Sequence, residues 1–129
     1  MKKTTLILII GLISSNLISQ EIEFAYEFKK VKSNYSGLDS LILYKNGTYL
    51  RKKLYHFHGI ESYNEKGQWK IIGDSLFLNL KSIKTFPESN NEWNDFERTD
   101  KFLIKRKKIF PVFHGILNRK KKLKSKNVG

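Results

Sequence analysis

The sequence of 129 residues contains no cysteine. This absence excludes disulfide bonds, thiolate metal sites, cysteine nucleophiles and lipid attachment at a cysteine. The fold must therefore be stabilised by packing alone. Beyond residue 20 the sequence also lacks an apolar run of the roughly 20 residues that a membrane-spanning helix needs. The later part of the chain is therefore expected to be soluble or attached to a membrane only at its surface.

The N-terminus combines a basic start with a short apolar run. Lys2 and Lys3 precede the run Leu6–Ile13, and the polar pair Ser14-Ser15 ends it. This pattern predicts a helical signal peptide over residues 1–19, cleaved after Ser19, and an exported protein that is periplasmic or secreted. An uncleaved membrane anchor is the alternative, but the run is shorter than the roughly 20 residues of a spanning helix.

Acidic residues are absent after Asp100. Residues 21–100 carry twelve basic and twelve acidic residues, whereas residues 101–129 carry eleven basic residues and supply most of the net charge of +13. We therefore expect a neutral β domain over residues 20–115 and a basic C-terminal tail over residues 116–129 that buries no core. The cations of this tail are suited to phosphates at an anionic membrane surface: Arg119, Lys120, Lys121, Lys122, Lys124 and Lys126.

Expected export favours envelope anions over nucleic acid as the partner of this tail. Binding of a single nucleic-acid strand would also need aromatic residues between the cations, and Arg119–Lys126 contains none. The alternative is a solvated tail that only aids solubility.

The body of the chain shows the two-residue alternation of β-strands. Large apolar residues occupy every second position of Ile22–Phe28. The motif Asp-Ser-Leu-x-Leu occurs twice, at Asp39–Leu43 and Asp74–Leu78, and each copy lies beside turn-forming residues. Further strands are predicted at residues 67–71 and in a last hairpin at residues 102–110.

The turn after the first motif admits two registers. A two-residue Asn46-Gly47 turn pairs Leu43 with Leu50, whereas a three-residue turn with Gly47 in the left-handed conformation pairs Leu43 with Tyr49. The second register is preferred because it brings large aromatic rings beside the leucines. It also places four further residues in line with Tyr49: Arg51, Lys53, Tyr55 and Phe57.

Residues 81–100 are predicted to form a long acidic loop that carries Trp93, because Pro87 and Asn90-Asn91 interrupt the alternation. Long loops in compact domains are usually functional or mobile. This segment is therefore a candidate recognition surface.

His56 and His58 are the sharpest candidates for chemistry. A strand would place both imidazoles on one face, at a spacing that suits two ligands of one zinc or copper ion. His114 and Glu61 are candidates for a third ligand. Two histidines on the exposed face of a strand are the ordinary alternative, and no other cofactor is expected.

No sequence motif specifies a reaction. The Asp-Ser pairs of the two repeats lack the Gly-x-Ser-x-Gly elbow of hydrolases, and Asp-Ser is ordinary turn chemistry. The sequence therefore favours a binding protein over an enzyme.

The repeated Leu-x-Leu strands and their turns resemble those of small exported lipocalin-like proteins of Gram-negative envelopes. The residues that carry the resemblance also include Asn46-Gly47, Gly73-Asp74 and the segment Gly67-Gln68-Trp69. The resemblance covers residues 39–80. It implies an all-β fold, an antiparallel meander of about seven to eight strands curled into a small barrel or half-barrel. It carries over no catalytic residue.

Three functional hypotheses remain open. The first is a non-enzymatic binding module of the cell envelope, which uses the aromatic face of the sheet or the 81–100 segment, with the basic tail adding affinity for anionic surfaces. The second is a metal-dependent enzyme built on His56 and His58. The third is a lipocalin-like carrier of a small apolar ligand. The aromatic candidates for ligand binding are Tyr49, Tyr55, Trp69 and Trp93.

Overall fold

A computed structural model of the chain describes residues 21–32, 35–56, 59–87 and 92–126. The predicted signal peptide, residues 1–19, lies outside these residues. Within the four ranges all regular secondary structure is β-strand. Nothing in these ranges forms a helix of the length and apolar character needed to cross a membrane.

Nine strands follow one another along the described chain. They are β1 (Ile22–Lys32), β2 (Tyr35–Tyr44), β3 (Thr48–His56), β4 (Ile60–Ile72), β5 (Ser75–Phe86), β6 (Trp93–Lys105), β7 (Lys108–Phe113), β8 (Ile116–Leu117) and β9 (Leu123–Ser125).

The strands form a closed antiparallel barrel. Each strand from β1 to β7 pairs with the next one along the chain. The short strand β9 then pairs with both β1 and β7 and closes a ring of eight strands. Strand β8 pairs only with the end of β7. The predicted all-β antiparallel meander is confirmed, and the barrel is complete rather than half formed.

The first hairpin has the preferred register. Leu43 lies opposite Tyr49, and Leu41 lies opposite Arg51. Gly47 has a φ of +88°, which is the left-handed conformation that glycine adopts without steric cost. The predicted three-residue turn is confirmed, and it places Tyr49, Arg51, Lys53 and Tyr55 on the inner face of β3.

The apolar core fills one end of the barrel. At this closed end lie the β2–β3, β4–β5 and β6–β7 turns, and the side chains around them interlock inside the ring. The buried core comprises Tyr26, Leu41, Leu43, Tyr49, Leu76, Leu78, Leu80, Phe102, Ile109 and Leu123. At the other end of the barrel, the open end, β1, β3 and β5 end and β2, β4 and β6 begin.

The predicted long loop over residues 81–100 is wrong. Strand β5 continues to Phe86, and β6 begins at Trp93, so the connection is short. Among the described residues, the first half of β6 pairs with no strand on its second side until β7 begins to pair at Lys101. Its residues 93–97 are therefore exposed and polar on average, which is why the alternation of a half-buried strand is not visible there.

The expectation that nothing after Gly115 buries a core is also wrong. Leu123 is 0% exposed and packs among the core residues from its place in β9. Residues 116–126 therefore include an element that closes the barrel. The cations around Leu123 hide this role in the sequence, because one buried residue in a strand of three produces no periodic pattern.

Gly67 of β4 lies opposite a β-bulge in β5, where Lys81 is the extra residue. The register between β4 and β5 shifts between Lys66 and Gly67. A Cβ atom at Gly67 would overlap the main-chain carbonyl oxygen of Asn79, so only glycine allows the two backbones this close approach. The shift lies two residues along β4 from Glu65.

Candidate functional site

Charged residues form a layer across the middle of the barrel. Alternation along β3 carries Arg51 and Lys53 inward after Tyr49, and their partners on β2 and β4 point inward with them. Arg51 donates from Nε and Nη2 to the two carboxylate oxygens of Asp39, at 2.9 and 2.6 Å. This bidentate geometry gives a strong, directional pair.

The second half of the layer is centred on Glu65, which is 2% exposed. Arg98 donates from Nη2 to its Oε1 at 2.8 Å, and Lys53 lies 3.3 Å from its Oε2. Arg98 also donates to Asp100 from Nε and Nη2. Three cations and three carboxylates thus balance within one layer: Arg51, Lys53, Arg98, Asp39, Glu65 and Asp100.

The layer changes the pKa of its cations. Burial opposes the charge of Arg51, but the hydrogen bond and charge of Asp39, with Glu65 and Asp100, raise its pKa above the ordinary value. Burial and then the charge of Arg51 lower the pKa of Lys53, and the attraction of Glu65 offsets only part of this effect. Lys53 is therefore the cation of the layer that is least well compensated.

Tyr49 lies against the core side of this layer. Its hydroxyl is buried and has no hydrogen-bond partner among the described residues. Burial and then the charges of Glu65 and Asp100 raise the pKa of Tyr49, so the phenol stays protonated.

We expect Tyr49→Phe to leave the free energy of unfolding unchanged or to raise it by at most about 3 kcal/mol, because it removes a buried unsatisfied hydroxyl. Urea unfolding followed by tryptophan fluorescence measures this change, with Trp69 as a reporter inside the barrel. A loss of more than about 1 kcal/mol would show that the hydroxyl has a partner, such as an ordered water.

A cavity of about 1040 Å³ opens above the charged layer at the open end. Its floor consists of Lys53, Glu65 and Arg98, and its remaining lining is mainly aromatic and apolar: Tyr55, Gly59, Ile60, Glu61, Tyr63, Ile83 and Pro87. Small-molecule sites in proteins have this composition, an apolar wall with a few placed polar groups.

The walls of the cavity are built from neighbouring strands. Tyr55 on β3 and Tyr63 on β4 meet edge to face, with ring centroids 6.1 Å apart. Ile83 on β5 lies opposite Glu65 and so faces the same space. The two rings and the aliphatic side chain provide apolar walls above the charges.

The groups of the cavity floor that keep unused hydrogen-bonding capacity are donors. Both carboxylate oxygens of Glu65 already accept from Arg98 and Lys53. The side chain of Arg98 remains 36% exposed, and its Nη1 makes no hydrogen bond to a described residue. Lys53 is 20% exposed and makes one long contact. The floor therefore suits an anionic or hydrogen-bond-accepting group.

The four aromatic candidates for ligand binding lie in different places. Tyr55 lines the cavity, whereas Tyr49 is buried below the charged layer. Trp69 packs against the core and donates from Nε1 to the carbonyl oxygen of Tyr44 at 2.8 Å. Trp93 lies on the outer surface, where the ammonium groups of Lys66 and Lys84 lie 4.1 and 5.1 Å from its ring centroid.

Within the described residues, the structure does not bring the candidate metal ligands together. His56 is exposed at the end of β3, and His58 lies outside the described ranges. Glu61 lies at the cavity mouth, and His114 occupies the β7–β8 turn, four strands from β3 in the barrel order. No group of three or more ligating side chains occurs in the part of the chain that the structure describes.

Sequence reasoning missed Glu65, Arg98 and Ile83 as neighbours in one site. The visible signal was Arg51 and Lys53 in line with Tyr49, which places two cations inside a barrel that must then supply carboxylates.

Comparison with protein-family models, curated proteins and solved structures finds no match.

Proposed function

We propose that this chain is an exported, non-enzymatic binding protein that holds a small molecule in the cavity at the open end of its barrel. The observation that carries the proposal is the cavity of about 1040 Å³ with aromatic walls and a charged floor. Export is supported by the N-terminal sequence pattern. The third hypothesis, a carrier, is thus preferred over a function confined to the basic C-terminal stretch.

The preferred ligand has an apolar body and an anionic head group. Its body would lie against Tyr55, Tyr63 and Ile83, and its head would accept hydrogen bonds from Lys53 and Arg98. The charges of the layer balance in number, but the lowered pKa of Lys53 shows that its neighbours compensate this buried cation only in part. An anionic head group beside Lys53 would stabilise its protonated form.

Two fluorescent probes that differ in one group test this proposal. Anilinonaphthalene sulfonate carries an anionic head, and phenyl-naphthylamine has the same aromatic body without it. We expect Tyr55→Ala to weaken the binding of both probes about tenfold, because it removes part of the apolar wall. Lys53→Met should weaken only the sulfonate probe, by a similar factor.

Trp93→Ala is the matched control, because it removes an aromatic ring from the outer surface and should leave both affinities unchanged. Equal losses for Trp93→Ala and Tyr55→Ala would place the site outside the cavity. If Lys53→Met lowers the affinity for both probes equally, Lys53 does not recognise an anionic head group, and that part of the proposal is wrong. Native mass spectrometry of protein purified from its own cell then shows the mass of any retained ligand.

A further inference from the structure

The β7–β8 hairpin presents an exposed apolar pair. Phe113 and Ile116 lie opposite each other across the two strands and are 74% and 72% exposed, the highest values among the large apolar side chains of the described residues. Both turn residues between them, His114 and Gly115, have positive φ angles of 52° and 77°. This is the compact two-residue turn that matches the twist of a hairpin, so the pair is held in place.

A surface rich in lysine continues from this hairpin. The chain turns after β8 at Asn118, whose Oδ1 accepts hydrogen bonds from the main-chain N–H groups of Lys120 and Lys121 at 3.1 and 3.2 Å. It then enters β9, where the buried Leu123 directs Lys122 and Lys124 outward. A groove of about 430 Å³ on this side is lined by five lysines, together with Glu27, Phe28 and Ser125: Lys29, Lys120, Lys122, Lys124 and Lys126.

Like charges face each other across the strands of this surface. Lys108 lies directly opposite Lys124 on one side and Lys105 on the other, while Lys124 also lies opposite Glu27 of β1. Directly opposed like charges destabilise a sheet. No ion pair joins these three lysines, or Lys120 to Lys122, to a carboxylate of the described residues, and only Lys126 is paired, with Glu27 at 3.1 Å. An external anionic partner would relieve this repulsion.

We propose that Phe113, Ile116 and the neighbouring lysines form a docking face for an anionic lipid bilayer. The apolar pair enters the boundary between head groups and acyl chains, and the lysines contact the lipid phosphates. We name it the docking face, defined by Lys105, Lys108, Phe113, Ile116, Lys120, Lys121, Lys122 and Lys124. It is independent of the ligand proposed for the cavity.

The chemistry of the docking face favours lipid over nucleic acid. Its cations are lysines, which are hydrated point charges suited to many phosphates without the planar, bidentate recognition that arginine provides. Its two apolar side chains lie together at a hairpin tip and not between the cations, where stacking on successive bases would need them. An apolar tip beside a cationic surface is the arrangement of proteins that lie in the membrane interface.

Sedimentation with vesicles tests the proposal on the exported form of the protein. We expect binding to vesicles of equal parts phosphatidylglycerol and phosphatidylcholine, loss of this binding at high salt, and none to pure phosphatidylcholine. Phe113→Ser/Ile116→Ser should weaken binding about tenfold or more. Lys120→Glu/Lys124→Glu should weaken it by at least as much. The altered side chains are exposed, and urea unfolding checks that each variant is folded.

Two controls make changes of the same kind elsewhere on the barrel. Ile72→Ser removes an exposed isoleucine from the β4–β5 tip, and Lys52→Glu/Lys70→Glu reverses two charges on β3 and β4, across the barrel from β9. Both should leave binding unchanged. Equal losses in the controls, or binding to pure phosphatidylcholine, would overturn the proposal. Tighter binding to single-stranded DNA than to anionic vesicles would overturn it in favour of nucleic acid.

Discussion

Replacing Leu123 with alanine should lower the free energy of unfolding by about 2 to 5 kcal/mol. Leu123 is 0% exposed and lies opposite Ile109, in the strand that joins β1 to β7. The substitution removes buried methyl groups at the point of closure and leaves a cavity that neighbouring strands cannot fill without moving. Because small domains are stable by about 5 to 15 kcal/mol in total, the loss is a large part of the whole. Urea unfolding measures it.

Ile116→Ala is the matched control for this prediction. It removes a similar aliphatic side chain seven residues earlier in the same basic stretch, but Ile116 is 72% exposed. We expect its effect on the free energy of unfolding to stay within about 0.5 kcal/mol. If residues 116–126 were a solvated tail, the two substitutions would be equally silent, and this result would contradict the closure of the barrel by β9.

The role of Leu123 also changes how the basic stretch can be tested. Deleting residues 116–129 would remove the cations together with the strand that closes the barrel. A loss of vesicle binding would then have two causes. Substitutions of outward lysines such as Lys120 and Lys124 separate charge from closure, because the main-chain pairing of β9 remains.

The architecture of the chain was predictable where local signals agree. In the β2–β3 hairpin the alternation of leucines, the Asn46-Gly47 turn and the preference for aromatic neighbours all indicate one register, and the structure has it. The first half of strand β6 and the whole of strand β9 were not predictable, because each depends on distant pairing. β6 is exposed over its first half, and β9 contributes one buried residue among cations.

The candidate site was predictable only in part for a related reason. The line of Tyr49, Arg51, Lys53 and Tyr55 follows from one turn. Glu65 lies directly opposite Arg51 in the regular β3–β4 pairing, but the sequence predicts this strand only from residue 67 onward. Arg98 lies on β6, beyond two register shifts, one between β4 and β5 at Lys66 and Gly67 and one between β5 and β6 at Leu80 and Ser82. A bulge moves every later side chain of a strand relative to its neighbour, so the facing residues cannot be counted from the turn.

The charged layer leads to the second large expected effect. Replacing Asp39 with alanine should lower the free energy of unfolding by about 3 to 5 kcal/mol, because it leaves a buried guanidinium without its bidentate partner. The nearest remaining carboxylate contact of Arg51 is Asp100, at 3.8 Å. Urea unfolding at neutral pH measures the loss, and added salt should not restore stability, since the pair is largely shielded from solvent.

Two comparisons separate the loss of a partner from the value of the pair. Glu21→Gln breaks the exposed ion pair with Lys45, at 3.2 Å, and should change the free energy of unfolding by no more than about 1 kcal/mol. The double variant Asp39→Leu/Arg51→Met removes both charges and keeps the layer balanced with two cations and two carboxylates, so it should recover most of the stability. If the double variant is as unstable as Asp39→Ala, the pair itself stabilises the fold, and the layer is structural. Recovery would mean that apolar packing can replace the pair.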